Sequence, residues 1–362
     1  MITGDSLPFS VKLSLNLLTI VLLALILYLG QSIFVPIFFS ILLATLLLPV
    51  TNYLQRLKMP KILAIMVTIF IALGIVAAMI YFLSVQISIF LDDIDTIKTR
   101  IGNLLSQVQN WVHDTFNISR GKQREYLEDT AQNIKDTGPG FLGRTLGTIT
   151  EGLSYLVFLP VYTFLLLFYK DLIKNFFISV FTNANPDKVG DVLYQARTIG
   201  RDYVLGLFID MTIVFTLNSV GFLIVGIKYP IFLALVAAIL NLIPYIGMLI
   251  ANVFTVLITI VSTDDPTNAL WAAVVLAAVQ FIDNNFLMPL IVGNKVRINA
   301  LVTIIGVVIG GTLCGIGGMF LAIPAIACLK VIFDNVPDLK PWGMLLGDDV
   351  QSQKKKETNP II

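Results

Sequence analysis

The sequence predicts an all-α, polytopic membrane protein with about eight hydrophobic segments. Three observations carry that expectation. Of 362 residues, 57% are hydrophobic and 13% charged, about half the charge of a soluble domain. Mean hydropathy is +0.87. Uncharged runs recur at lengths that span a bilayer, which takes about 20 residues of helix across about 30 Å of hydrocarbon.

The elements follow from those runs in order. Residues 13–55 carry no charge and correspond to about 65 Å of helix, enough for two spans. A break is expected near Gly30-Gln31. Residues 62–91 give a third span. Together 1–91 would form a three-span scaffold, retained rather than cleaved, because only Lys12 precedes the apolar run and no small-residue cleavage site follows. Residues 92–150 are polar and mixed in charge. Ile94, Ile97, Ile101, Leu104, Leu105, Val108 and Trp111 recur there at helical spacing, which predicts an amphipathic helix outside the bilayer core. Gly138-Pro139-Gly140 ends that region. Residues 151–202 would hold the fourth span, 152–169, and a polar linker. Residues 203–333 would form a transport unit opening with a fifth span, 203–227, and 334–362 a tail.

Two later segments are ambiguous by length. Residues 229–263 and 298–329 are uncharged and would make about 52 Å and about 48 Å of helix. Each is long for one crossing and short for two. Each has a break near its middle, "NLIPYIG" (241–247) and "GGTLCGIGG" (310–318), and Pro and Gly clusters are where helices interrupt. They are either two long tilted helices or two re-entrant hairpins. Charge favours hairpins. Lys and Arg in short loops mark the cytoplasmic side. Arg56, Lys58 and Lys61, then Lys170, Lys174, Lys188, Arg197 and Arg201, go inside, with the N-terminus. Lys295, Arg297 and the lysine-rich tail join them only if both segments reverse. The span 203–227 with its hairpin and the span 267–292 with its hairpin would then share one plan in opposite orientation, an inverted repeat.

"QFIDNNFLMPLIVG" (280–293) holds the main candidate site. An ionisable group at the bilayer centre costs roughly 2.5–3.5 kcal/mol on insertion scales and usually faces a cavity or partner. Asp283, with Asn284 or Asn285, would line a polar groove and hold a proton or cation. Asp210, in the fifth span, is a second intramembrane acid. Asn241 and Tyr245 would add polar contacts at the first hairpin tip. Pro244, Gly247, Pro289, Gly293, Gly310, Gly311, Gly315, Gly317, Gly318 and Pro324 would shape the broken backbone. Each has a plainer alternative: a hydrogen-bond clamp for Asp283, snorkelling for Asp210, a proline kink at 244, close packing for the glycines.

Several classes are excluded or unsupported. The net charge of +1 and the lack of a basic stripe argue against nucleic acid. Cys314 and Cys328 have no CxxC spacing, and His113 has no Cys/His partner nearby, so no metal and no cofactor are expected. No P-loop, GxSxG or HExxH motif anchors an enzyme.

The chain resembles the autoinducer-2 exporter family of bacterial inner-membrane proteins. "KYPIFLALVAAILNLIPYIG" (228–247), "QFIDNNFLMPLIVGNKV" (280–296) and "GVVIGGTLCGIGGMFLAIP" (306–324) carry the likeness, with "LLLFYKD" (165–171) and "GRDYVLG" (200–206). "GNKVRINALV", with Arg297 and Ala300, departs from a family pattern that often has a proline there. The resemblance implies a plasma-membrane exporter of a small signalling molecule, or a sodium/proton antiporter, assembling as a homo-oligomer in the lipid bilayer. A non-transporting membrane scaffold is the remaining alternative.

Overall fold

The structure is a computed structural model. It describes residues 8–116, 119, 121, 157–181, 186–243, 246–263, 265–291 and 298–347. Every regular element among them is helical. Six helices are long and apolar enough to cross a membrane by length and composition.

The first run splits where the glycine stands. Helix α1 is Phe9–Leu29, Gly30 interrupts it, and α2 is Gln31–Arg56. Helix α3 is Lys61–Asp92 and α4 is Ile94–Phe116. The expected fourth span appears as α5, Val157–Phe168, within 152–169. It bends at Tyr169 into α6, Lys170–Val180.

Helix α7, Pro186–Val225, starts 17 residues before the expected fifth span. Its first turns are polar and its later turns apolar, so hydropathy marks only the second part. Gly226, at φ +79°, ends it. The N–H of Ile227 bonds Phe222 O, and that of Gly226 bonds Leu223 O. This is a Schellman stop, which needs a left-handed residue. Pro230 then opens α8, Pro230–Leu240.

Both ambiguous segments reverse. Helix α8 ends before a turn at 241–243, and α9 is Ile246–Ser262. Phe232 and Phe254 lie edge to face at 6.3 Å, which pairs the two helices antiparallel. At about 16 Å and about 26 Å, neither is as long as the hydrocarbon layer is thick. In the second segment, α12 (Ala300–Asn335) would cross as one 36-residue helix by length alone. Its backbone says otherwise. Cys314 (φ −136°, ψ 21°) and Gly315 (φ 60°, ψ −150°) are non-helical. A Cβ on Gly310 would stand 2.4 Å from Gly318 O, and one on Gly306 would meet Ile326. Residues eight apart touch only if the chain turns back between them, since a straight helix would separate them by about 12 Å. The tight tip expected of the glycines is therefore present, with Gly315 in the conformation that L residues avoid.

Packing divides the chain into two units. One is drawn from Met1–Ile65, Phe158–Tyr203 and Lys295–Ile362. In it, Phe39 stacks on Phe320 at 5.5 Å, and Gly317 lies against Val35 and Phe39. Ser40 Oγ donates to Leu159 O at 3.2 Å. Asn299 caps α12 by accepting from the Val302 N–H at 2.8 Å. Its Nδ2 donates to Leu345 O at 2.7 Å, at the end of α13, Lys340–Leu346.

The other unit comprises Met66–Val157 and Val204–Asn294. Its core joins Ile97 of α4, Phe222 of α7, Phe232, Leu233, Ala234 and Ala237 of α8, Ala251 of α9, and Ala272 and Leu276 of α10, Thr267–Ile282. Thus α4 buries Ile97 and sets Leu104 against that core, as an amphipathic helix should. The outward positions of the long helices are apolar: Leu17, Ile20, Val21, Phe70, Ile71, Val253 and Leu257 are all exposed. Apolar surface on this scale belongs against lipid.

Candidate functional site

The site lies in the second unit. Helix α10 ends at Ile282, and Asp283–Leu287 continue as a π-helical turn before α11, Met288–Ile291. The amide of Met288 reaches back to Asp283 O, one residue further than in an α-helix. The sequence explains the widening. Pro289 has no N–H and would crowd the carbonyl four residues earlier, so the α pattern fails just ahead of it. Such bulges re-aim side chains and gather at functional sites.

The turn sends its polar groups different ways. Asp283 is buried, at 2% exposure, while Asn284 and Asn285 are exposed. Asp283 Oδ2 accepts from Asn241 Nδ2 at 3.0 Å and from Gln280 Nε2 at 3.3 Å. Asn241 caps the end of α8, so the hairpin tip and the acid are joined directly. Gln280 also donates to Asn284 Oδ1 at 3.0 Å, and Asn285 Nδ2 bonds Phe281 O at 2.8 Å. Asn284 therefore supports the site through Gln280, and Asn285 holds its own helix.

Asp210 comes to the same place. It is buried, at 3% exposure, and its carboxyl is near enough to the Asp283 carboxyl for the two to interact. Two neighbouring buried carboxyls repel one another when both are charged. If both are ionised, a cation must offset their repulsion. Oδ1 of each is buried without a hydrogen-bond partner, and no ion pair joins either acid to a base, among the described residues. Asp210, Val214 and Asn218 are spaced four apart on α7, so they share a face.

A narrow cleft beside the pair is lined by Val214, Asn218, Asn241, Asn252, Leu276 and Gln280, among others. Asn218 is buried, and its Oδ1 has no partner among the described residues. Asn218, Asn252 and Gln280 were not singled out from sequence, though an amide within an apolar run is the signal that would have found them. Gly247 is buried beneath the tip: a Cβ there would stand 1.6 Å from Leu240 O. Tyr245, Pro244 and Gly293 lie outside the described residues. Pro289 is exposed. Gly310, Gly311, Gly315, Gly317, Gly318 and Pro324 all belong to α12 in the first unit and shape its reversal or packing. No cluster of three or more His, Cys, Asp or Glu that could hold a metal occurs among the described residues.

A second polar cluster ties the root of the α8–α9 hairpin. Asp93, between α3 and α4, accepts from Tyr229 Oη at 2.7 Å and from Lys228 Nζ at 2.9 Å. Tyr229 is buried and packs edge to face on Phe90 at 5.4 Å. The Tyr229 hydroxyl first, then Lys228, holds the Asp93 carboxyl below its usual range.

Residues 17–338 match the family described as AI-2E family transporter. The chain belongs to this family. Among its relatives are YrrI and YueF of Bacillus subtilis (strain 168), both named as candidate transport proteins. YrrI is 28% identical over 310 residues, covering 83% of this chain and 86% of its own. YueF is 24% identical over 319 residues, covering 84% and 85%. PerM of Escherichia coli (strain K12), named as a candidate permease, is 26% identical over 197 residues, covering 54% and 55%. This AI-2E member is a multi-pass membrane transport protein, and the acid pair is its candidate centre.

Proposed function

We propose that this AI-2E protein is a secondary-active exporter of a small polar solute. The Asp210–Asp283 pair is the coupling site for a proton or a monovalent cation. The observation that carries the reading is two buried acids that interact, with amide donors on Asp283 and no base paired to either among the described residues. Such a pair changes its favoured partner between proton and cation as concentrations on the two sides change. It sits where a helical hairpin meets a π-helical turn, and broken helices at a buried site are how secondary transporters are built.

The solute follows from the family rather than from the cleft. An autoinducer-2-type signal is the first compound to assay. The acid pair also favours a second reading, sodium (or potassium)/proton antiport, in which the cation is itself the cargo. We assign the chain no enzymatic step. Its place would be the bacterial plasma membrane, with both termini cytoplasmic, as a homo-oligomer.

Flux in proteoliposomes tests the reading. Wild type and Asp283→Asn are given imposed proton and sodium gradients, read with an internal pH dye and a labelled autoinducer-2-type solute. Gradient-driven solute flux lost in the mutant supports export. Sodium-dependent proton movement without solute flux selects antiport. Equal flux in mutant and wild type overturns the role of Asp283 and leaves its turn as a structural clamp; no flux in either leaves a non-transporting scaffold.

A further inference from the structure

Helix α9 has three faces. Leu249, Val253, Leu257 and Ile260 are exposed and apolar. Ala251, Phe254, Ile258 and Val261 pack in the core. The third face carries Asn252, Thr255, Thr259 and Ser262, spaced three or four apart and so aligned. Thr255 and Thr259 are wholly buried and Ser262 nearly so. Thr259 Oγ1 is satisfied by Thr255 O at 2.7 Å. Thr255 Oγ1 and Ser262 Oγ have no partner among the described residues, nor does Asn218 Oδ1, which faces the same cleft as Asn252.

Close packing alone would be met by alanine at these positions. Buried polar atoms are paired with protein or with water, and polar side chains within membrane helices face interior or water-filled space. Here the unpaired oxygens are not scattered. They begin at Asn218 and the acid pair, beside the cleft that Asn252 also lines, and continue on α9 at Thr255 and, about 10 Å further along, at Ser262. At that end Thr263 Oγ1 donates to Thr259 O at 2.6 Å. The exposed Asp265 follows, holding the Thr267 N–H at 2.9 Å.

We propose that this face of α9 lines a hydrated track that carries protons or small hydrated cations between the Asp265 turn and the Asp210–Asp283 pair. Water in the track bonds Thr255 Oγ1, Ser262 Oγ and Asn218 Oδ1. The track gives the pair access to one side of the membrane, the side on which the α9–α10 turn lies. The proposal rests on the acid pair being an ion site, but water in the track can be measured without any transport.

The test is cysteine accessibility in the full-length protein in proteoliposomes. Cys314 and Cys328 are the chain's two cysteines, and both are first changed to alanine. Single variants Asn252→Cys, Thr255→Cys, Thr259→Cys and Ser262→Cys are exposed to a small charged methanethiosulfonate and, separately, to silver ion. Val253→Cys and Leu257→Cys on the apolar face are the references. A thiol reacts as its thiolate, which needs water, so the track positions should react about tenfold faster than the references. The order Ser262, Thr259, Thr255 should follow distance from the Asp265 turn. Equal slow reaction at all six positions with both reagents, in variants that keep the parental melting temperature, overturns the track. Ser262→Cys, nearest the mouth, carries the test if a deeper variant misfolds. Fast labelling with silent flux would defeat the transport reading and leave the track standing.

Discussion

The hairpin α8–α9 and the hairpin within α12 solve the same folding problem with different residues. Both turn an uncharged segment back on itself. In α12 the reversal is made by glycine: Gly315 takes the left-handed turn, and Gly310 and Gly318 let two backbones touch. Its positions are mostly apolar, and among the described residues it holds no buried unpaired side-chain polar atom. In α8–α9 only Gly247 makes a comparable approach, while Asn241 and the polar face of α9 remain. The difference separates a hairpin built for packing from one built around polar groups. Function should therefore be far more sensitive in α8–α9 and its partners, while stability should be sensitive in both.

Substitutions at the close approaches should have the largest effects. A Cβ on Gly318 would stand 2.0 Å from Gly310 O, and one on Gly247 would stand 1.6 Å from Leu240 O. These are backbone atoms that cannot swing aside. Gly318→Val and Gly247→Val should each cost more than the roughly 1–3 kcal/mol of ordinary overpacking. Thermal unfolding in detergent checks this, and a melting temperature within a degree or two of wild type would break the account of that tip.

Next comes Asp283→Asn, which keeps the side chain's shape. Gradient-driven flux should fall by an order of magnitude or more while the melting temperature holds, because a coupling charge has been removed and not a packing group. Asn299→Ala should be smaller, losing about 0.5–2 kcal/mol with the α12 cap. Its melting temperature should drop with flux per folded protein unchanged.

The smallest effect is expected at Asp93. A carboxyl held below its usual range stabilises the fold above its unfolded pKa and loses that contribution as pH falls through the folded value. Wild type should therefore lose its advantage over Asp93→Asn on acidification through about pH 4 and below. A gap in melting temperature that persists unchanged through that range would show that Asp93 is not acting as a charge.

The spans were legible because lipid demands uncharged runs, and Gly30 and the α12 glycines mark breaks that backbone geometry requires. The start of α7 at Pro186 was not, since its first turns carry polar residues that hydropathy ignores. Both reversals were legible as alternatives: length left them open, charge favoured them, and the Gly310–Gly318 approach decides one of them. At the site, Asp283 and Asn241 stand out as polar residues in apolar runs. The approach of Asp210 to Asp283 does not, because the two acids stand 73 positions apart in sequence and no local pattern encodes their proximity. Asn284 and Asn285 look equal to Asp283 in sequence, yet the π-helical turn leaves them exposed. The stripe Asn252, Thr255, Thr259 and Ser262 was readable from its spacing, but hydroxyls bonding their own helix are common enough to hide it.

The central claim is that Asp210 and Asp283 act as one site. A double-mutant cycle measures it: sodium- and proton-driven flux of wild type, Asp210→Asn, Asp283→Asn and the double variant, in matched proteoliposomes. Residues that act as a unit are strongly non-additive. The double variant should transport no worse than the more damaged single one. Losses that multiply across the two sites, or a wild-type rate in either single variant, would contradict the claim.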